Sequence, residues 1–98
     1  MDKLQKKLNK RRKKIDGLDK DLFSTLNKRF KLVGEIALIK EKLKQPSHQK
    51  ARWEAMLKER AKLAVALKID KKFAMDLLKL IHKESKRIQT LKRNEEKK

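Results

Sequence analysis

Read in steps of three and four, the segment from Ile15 to Leu43 lays Ile15, Leu18, Leu22, Leu26, Arg29, Val33, Ile36, Lys40 and Leu43 along one line. That spacing belongs to one face of an α-helix, and seven of the nine positions are aliphatic. The other two are cations. Arg29 and Lys40 stand 11 residues apart, about 16 Å along a helix axis and on the same side of it. A buried cation without an anion costs several kcal/mol, so something anionic is expected beside this face. No carboxylate of the same stripe supplies it.

The same period continues in both directions. Leu4 and Leu8 carry it into residues 1–14, a basic N-terminal extension of the first helix. Gly17 costs about 1 kcal/mol relative to Ala and does not end so strong a pattern. The helix is expected to run to about Lys44, roughly 40 residues and ~60 Å. A compact domain of this length has a radius of gyration of only ~13 Å. The long helix therefore cannot bury its stripe within one chain, and a dimer built on paired long helices is expected.

Gln45-Pro46-Ser47-His48 forms the first break, because Pro disfavours helix at the residue before it and has no N–H to donate. Ser47 is a candidate cap for a second helix from about Gln49 to Leu67, whose apolar positions are Trp53, Met56, Leu57, Ala61, Ala64 and Leu67. Asp70 is a candidate cap for a third, carrying Phe73, Leu77, Leu78, Ile81 and Ile88 and fading near Asn94, with 95–98 a frayed tail. No run alternates as a strand would. The fold class is all-α, with one long helix and two shorter ones in a single domain spanning 1–98.

Polar residues interrupt the later helices too. Gln49, Arg52 and Trp53 fall at i, i+3 and i+4 and share a face. On the third helix the stripe Leu78, Ile81 turns polar at Ser85 and Gln89, which are i, i+4 neighbours. Taken singly, such residues face solvent, or snorkel with stem buried and head in water. Spread over three helices and always on the apolar side, they read as one set: Arg29, Lys40, Gln49, Arg52, Ser85, Gln89.

Composition narrows what this set can do. Charged residues make up 45% of the chain and aromatics 4%, near the lower limit for forming a core. There is no Cys, His48 and His82 have no sequence partners, and no nucleophile–base pair, metal-ligand cluster or Gly-rich phosphate loop is present. No apolar run reaches membrane-spanning length and no signal peptide is visible, so a cytoplasmic protein without a membrane partner is expected. The net charge of +18, concentrated at Lys3–Lys14 and Lys83–Lys98, admits a second reading as a basic helical module for nucleic acid. One Trp, no Tyr and no aromatic–basic interleaving argue against it. A third reading, a structural coiled coil, would accept Leu at Arg29 and Lys40. Cations joined by neutral donors suit a small polyanion, whose charge they stabilise without moving a proton or forming a covalent bond.

Those residues, in that order, resemble the all-α class of chorismate mutases. The resemblance runs from Arg12 through Ile15, Leu18 and Asp19, then Leu26 and Arg29, then Lys40, Pro46, Arg52, Glu84, Ser85 and Gln89, with no insertion needed. The strings Gln49–Glu54 and Ile81–Gln89 look most like mutase domains fused to the first enzyme of the shikimate pathway; here no such domain accompanies them, so a free-standing or excised domain is expected. The resemblance implies an intertwined helical homodimer that rearranges chorismate to prephenate without cofactor or metal. It implies that Arg29, Arg52 and Arg12 hold the two carboxylates, that Lys40 and Gln89 donate to the ether oxygen, and that Ser85 and Gln49 line the pocket. Arg12 lies 17 residues before Arg29, about 25 Å away and about 100° round the helix, so the two cannot share a site on one chain. A partner copy can supply it. One departure stands out: where many family members carry a carboxylate after the second-helix arginine, this chain has Trp53, and the partner of the substrate hydroxyl is left open between Gln49 and backbone.

Overall fold

A computed structural model describes residues 2–46 and 48–96, all of them in helices, turns or short connections with no strand. The helices are α1 (Lys3–Leu43), α2 (Lys50–Ala66) and α3 (Lys71–Glu96). The chain divides into two compact units, Met1–Leu32 and Val33–Lys98.

The first unit is the N-terminal part of α1. Asp2 starts it, its side chain accepting the Gln5 N–H at 2.8 Å and its carbonyl the Lys6 N–H at 3.2 Å, which satisfies donors that a helix start leaves open. The helix passes through Gly17 without a break, as the pattern requires. Most of its apolar side chains stay in solvent, Leu18 being 65% exposed and Phe23 69%, with Leu4, Ile15 and Leu22 also exposed; Leu26 and Phe30 are half-buried.

The second unit holds the end of α1 with α2 and α3. Two small residues, Gly34 and Ala37, are the buried positions of α1. A Cβ on Gly34 would lie 3.3 Å from Lys92 Cε, so the stem of Lys92 on α3 occupies the space that a side chain would need. α1 ends with Lys44 in the left-handed region (φ 58), the Lys44 N–H reaching the Glu41 carbonyl and the Gln45 N–H the Lys40 carbonyl. The same closure ends α2, with Lys68 at φ 58 and Ile69 N–H bonded to the Ala64 carbonyl. Both are stops of the kind usually built on Gly. Asp70 caps α3 as expected, accepting the Phe73 N–H at 2.9 Å. At the head of α2 the capping position is Gln49, with no side-chain cap bond; Ser47 lies outside the described residues.

Met56 and Ala64 of α2 are buried, whereas Leu63, Leu67, Phe73 and Leu77 at the α2–α3 corner are substantially exposed. α3 continues to Glu96, past the expected fade at Asn94, and Lys92 pairs with Glu95 at 3.6 Å in its last turns; the remainder of the expected frayed tail, 97–98, lies outside the described residues. Among the described residues no helix is long and apolar enough to cross a membrane.

Candidate active site

The driest side chains of α3 are polar. Ser85 is 5% exposed and Gln89 7%, one turn apart on the face that sequence periodicity would have filled with Leu. Ser85 Oγ donates to the Ile81 carbonyl at 2.9 Å, which ties its hydrogen to its own helix and leaves its lone pairs to accept. Gln89 Oε1 accepts from Lys40 Nζ at 3.5 Å, so the other end of that amide carries its two N–H donors.

Lys40 sits in the last turn of α1, where the open carbonyls of a helix end favour a cation. Its environment nonetheless holds its pKa below the ordinary lysine value, first through burial and then through the positive charges of Arg93 and Arg52. Three helices thus contribute one cation each to the same neighbourhood. The protonated lysine is held there at a cost, which an anionic ligand would reverse.

Arg52 is exposed on the first turn of α2. Gln49, just ahead of it, is half-buried and donates from Nε2 to Gln45 Oε1 at 3.2 Å. Trp53 stacks on His82 of α3, ring centroids 3.9 Å apart and 15° from parallel, and His48 lies 5.4 Å from His82 at a tilt of 56°. Trp53 therefore joins α2 to α3 through a ring pair that neither helix's own pattern could disclose. Arg12, exposed, and Arg29, half-buried, are carried on α1 in the first unit. Of the sequence set, then, the second unit gathers Lys40, Arg52 and Gln89, with Ser85 one turn from Gln89.

One participant was missed from sequence. Arg93 lies four residues beyond Gln89, so the polar stripe Ser85, Gln89 has a third member on the same face. Its Nη2 donates to the Gln45 carbonyl at 3.0 Å, and its Nε lies 3.4 Å from Glu41 Oε2. The helical step was available in the sequence; Glu41, the residue after Lys40, gave no hint of being its partner.

Among the described residues no group of three or more His, Cys, Asp or Glu is placed to hold a metal. What the second unit presents is a lysine, an arginine and a buried amide, a constellation chemically suited to a compact polyanion. An all-helical chain with such a site defines a class of small anion-handling helical proteins. The comparison with known families is more specific: the profile of the chorismate mutase type II family matches residues 11–90. The chain belongs to that family, and it is an isomerase acting on chorismate. No curated protein matches the sequence.

Proposed function

We propose that this chain rearranges chorismate to prephenate, as a step in aromatic amino-acid biosynthesis, with Lys40 and Gln89 as the donors to the breaking ether bond. The observation that carries the assignment is the 3.5 Å contact between Lys40 Nζ and Gln89 Oε1 on a partly buried face, with Arg52 near enough to act on the Lys40 charge.

The reaction is a [3,3] shift. One C–O bond breaks as one C–C bond forms, and no proton, electron pair or group leaves the molecule, so a cofactor has no step to serve. A protein accelerates such a reaction by holding the compact reactive conformer and by stabilising charge as it develops on oxygen. Arg52 and Arg29 fit the first task, since a guanidinium fork fixes the direction of a carboxylate as well as its distance. Lys40 and the Gln89 amide fit the second, and they are worth more on a water-poor face than in bulk solvent. Ser85 and Gln49 supply polar lining. Trp53 takes a packing role against His82, and the substrate hydroxyl falls to Gln49 or to backbone.

In this reading the 98 residues act as one mutase domain in an intertwined homodimer of cytoplasmic location. Arg12 is contributed by the partner copy. The exposed leucines of the first unit and the apolar corner formed by Leu63, Leu67, Phe73 and Leu77 are surfaces that such a pairing would cover. The test is to follow chorismate absorbance with purified protein. Saturable loss, with prephenate as product and without added metal or cofactor, is expected. A protein that leaves chorismate unchanged contradicts the assignment.

A further inference from the structure

Arg93 lies outside the segment that matches the family profile, which ends at residue 90, yet its side chain is only 17% exposed and makes one hydrogen bond, from Nη2 to the Gln45 carbonyl, and one ion pair, between Nε and Glu41. Its guanidinium reaches the Gln45 carbonyl, in the turn that ends α1, and Glu41, one residue beyond Lys40. Gln89 is one helical turn away on α3. Lys40 and Gln89 come from different helices, so their contact depends on how the last turn of α1 is held against α3. Arg93 is a side chain of α3 that reaches across to the end of α1.

The electrostatics are otherwise hard to justify. A long cation is set beside a lysine whose charge burial already disfavours, and it disfavours that charge further. Glu41 pairs with that cation. Arg52 from α2 adds to the positive side, Gln89 on α3 is neutral, and Glu41 is the carboxylate on the lysine's own helix that engages Arg93. A pair built only to join two helices would do as well a turn or two further from the donor.

We infer that Arg93 is a positioning residue of the mutase site, clamping Glu41 and the Gln45 carbonyl to α3 so that Lys40 and Gln89 converge on one substrate oxygen, with Glu41 as its counter-charge. The inference rests on the assignment of Lys40 and Gln89 made above. Its two members act oppositely on Lys40. Removing Arg93 takes away a cation and leaves Glu41 beside the lysine, so the ammonium is favoured. Removing the Glu41 charge leaves Arg93 uncompensated, so the ammonium is disfavoured.

The experiment compares wild type with Arg93→Met, Arg93→Lys and Glu41→Gln. In Arg93→Met, kcat is expected to fall on the order of ten- to a hundredfold with a smaller change in KM, since a displacement of about 1 Å is enough for such a loss. The alkaline limb of kcat/KM moves to higher pH in Arg93→Met and to lower pH in Glu41→Gln. Arg93→Lys returns the limb toward its wild-type place but recovers only part of kcat, because it restores the charge and not the fork. The pH titration of the Lys40 side-chain carbon signal, assigned with Lys40→Arg, reads the same opposed shifts in the free protein without turnover. That separates the two claims. Opposed shifts of Lys40 in a protein that does not consume chorismate would sink the mutase assignment and leave the clamp standing. Wild-type kcat in Arg93→Met, or shifts of Lys40 in the same direction in Arg93→Met and Glu41→Gln, would overturn the clamp.

Discussion

In the first unit most leucines are wet, and in the second a serine and a glutamine are dry. Leu18 and Phe23 expose about two-thirds of their surface, while Ser85 and Gln89 expose less than a tenth. Each is the wrong way round for a chain that is complete in itself. A large apolar side chain gains about 1.5–3 kcal/mol on burial, so the first unit points to something apolar that covers it. A buried polar group costs free energy unless it is satisfied, and in the second unit Ser85 is bonded to the Ile81 carbonyl and Gln89 to Lys40. In the proposed function a partner copy covers the first surface and the substrate meets the second.

The largest expected effects fall on the proposed substrate cations, Lys40 in the second unit and Arg29 in the first. Lys40→Leu and Arg29→Leu should each lower kcat/KM by roughly 10²–10³, the scale of losing one preorganised charge-stabilising donor, while stability holds or rises because each restores the apolar stripe. For Lys40 the sign can be followed with pH. Its folded-state pKa lies below the ordinary value of 10.5, so the unfolded chain binds the proton more tightly. The cost is present in full below the folded pKa and disappears as pH rises from there to 10.5. Urea midpoints should therefore favour Lys40→Leu over wild type at neutral pH, and the gap should close through that alkaline window. Near-wild-type turnover in either variant would remove its residue from the site.

Gln89→Glu is the next test and has the finer signature. With Oε1 already facing Lys40, an ionised Glu would pair with the ammonium and present no donor to the ether oxygen. A protonated Glu is a donor again. The free residue titrates near ~4.3; burial raises that value, and Lys40 with Arg52 lowers it. The variant should be impaired on the order of tenfold or more at neutral pH and recover as pH falls, with no such acid-side rise in wild type. Parallel kcat/KM profiles, over the range where circular dichroism shows both proteins folded, would mean that Gln89 faces elsewhere.

The three helices were legible in the sequence because each is long and periodic, and their ends because Pro46 and Asp70 are local signals. The second unit's polar residues were legible as exceptions to that period: Lys40, Ser85 and Gln89 stand out because Leu was expected there. Partners across helices were not. Trp53 on His82 and Arg93 on Glu41 depend on how α1, α2 and α3 are set against one another, and a single stripe carries no such register. The stops at Lys44 and Lys68 also escaped notice, since a left-handed closure is usually announced by Gly or Asn.

Two small changes sharpen the contrast between the units. Gly17 is mid-helix with open space where a Cβ would lie, so Gly17→Ala should stabilise by up to about 1 kcal/mol. That gain appears in the global urea midpoint only if the first unit unfolds together with the second, as it would when covered by a partner. In the second unit Lys68 is held at φ 58. A left-handed residue costs roughly 1–2 kcal/mol and Gly returns part of that as chain entropy, so Lys68→Gly should gain about 0.5 kcal/mol.

In the proposed homodimer Arg12 of one chain completes the site of the other, and mixing two dead proteins tests this most directly. Arg12→Ala and Lys40→Ala should each be inactive alone. If Arg12 acts across the dimer, a hybrid of the two carries one site in which both residues are intact. Co-refolded in equal amounts, the pair should recover about a quarter of wild-type chorismate turnover, because about half the dimers are hybrids with one good site in two. Recovery to that level is the predicted result; a mixture as inactive as its parents would contradict the shared site.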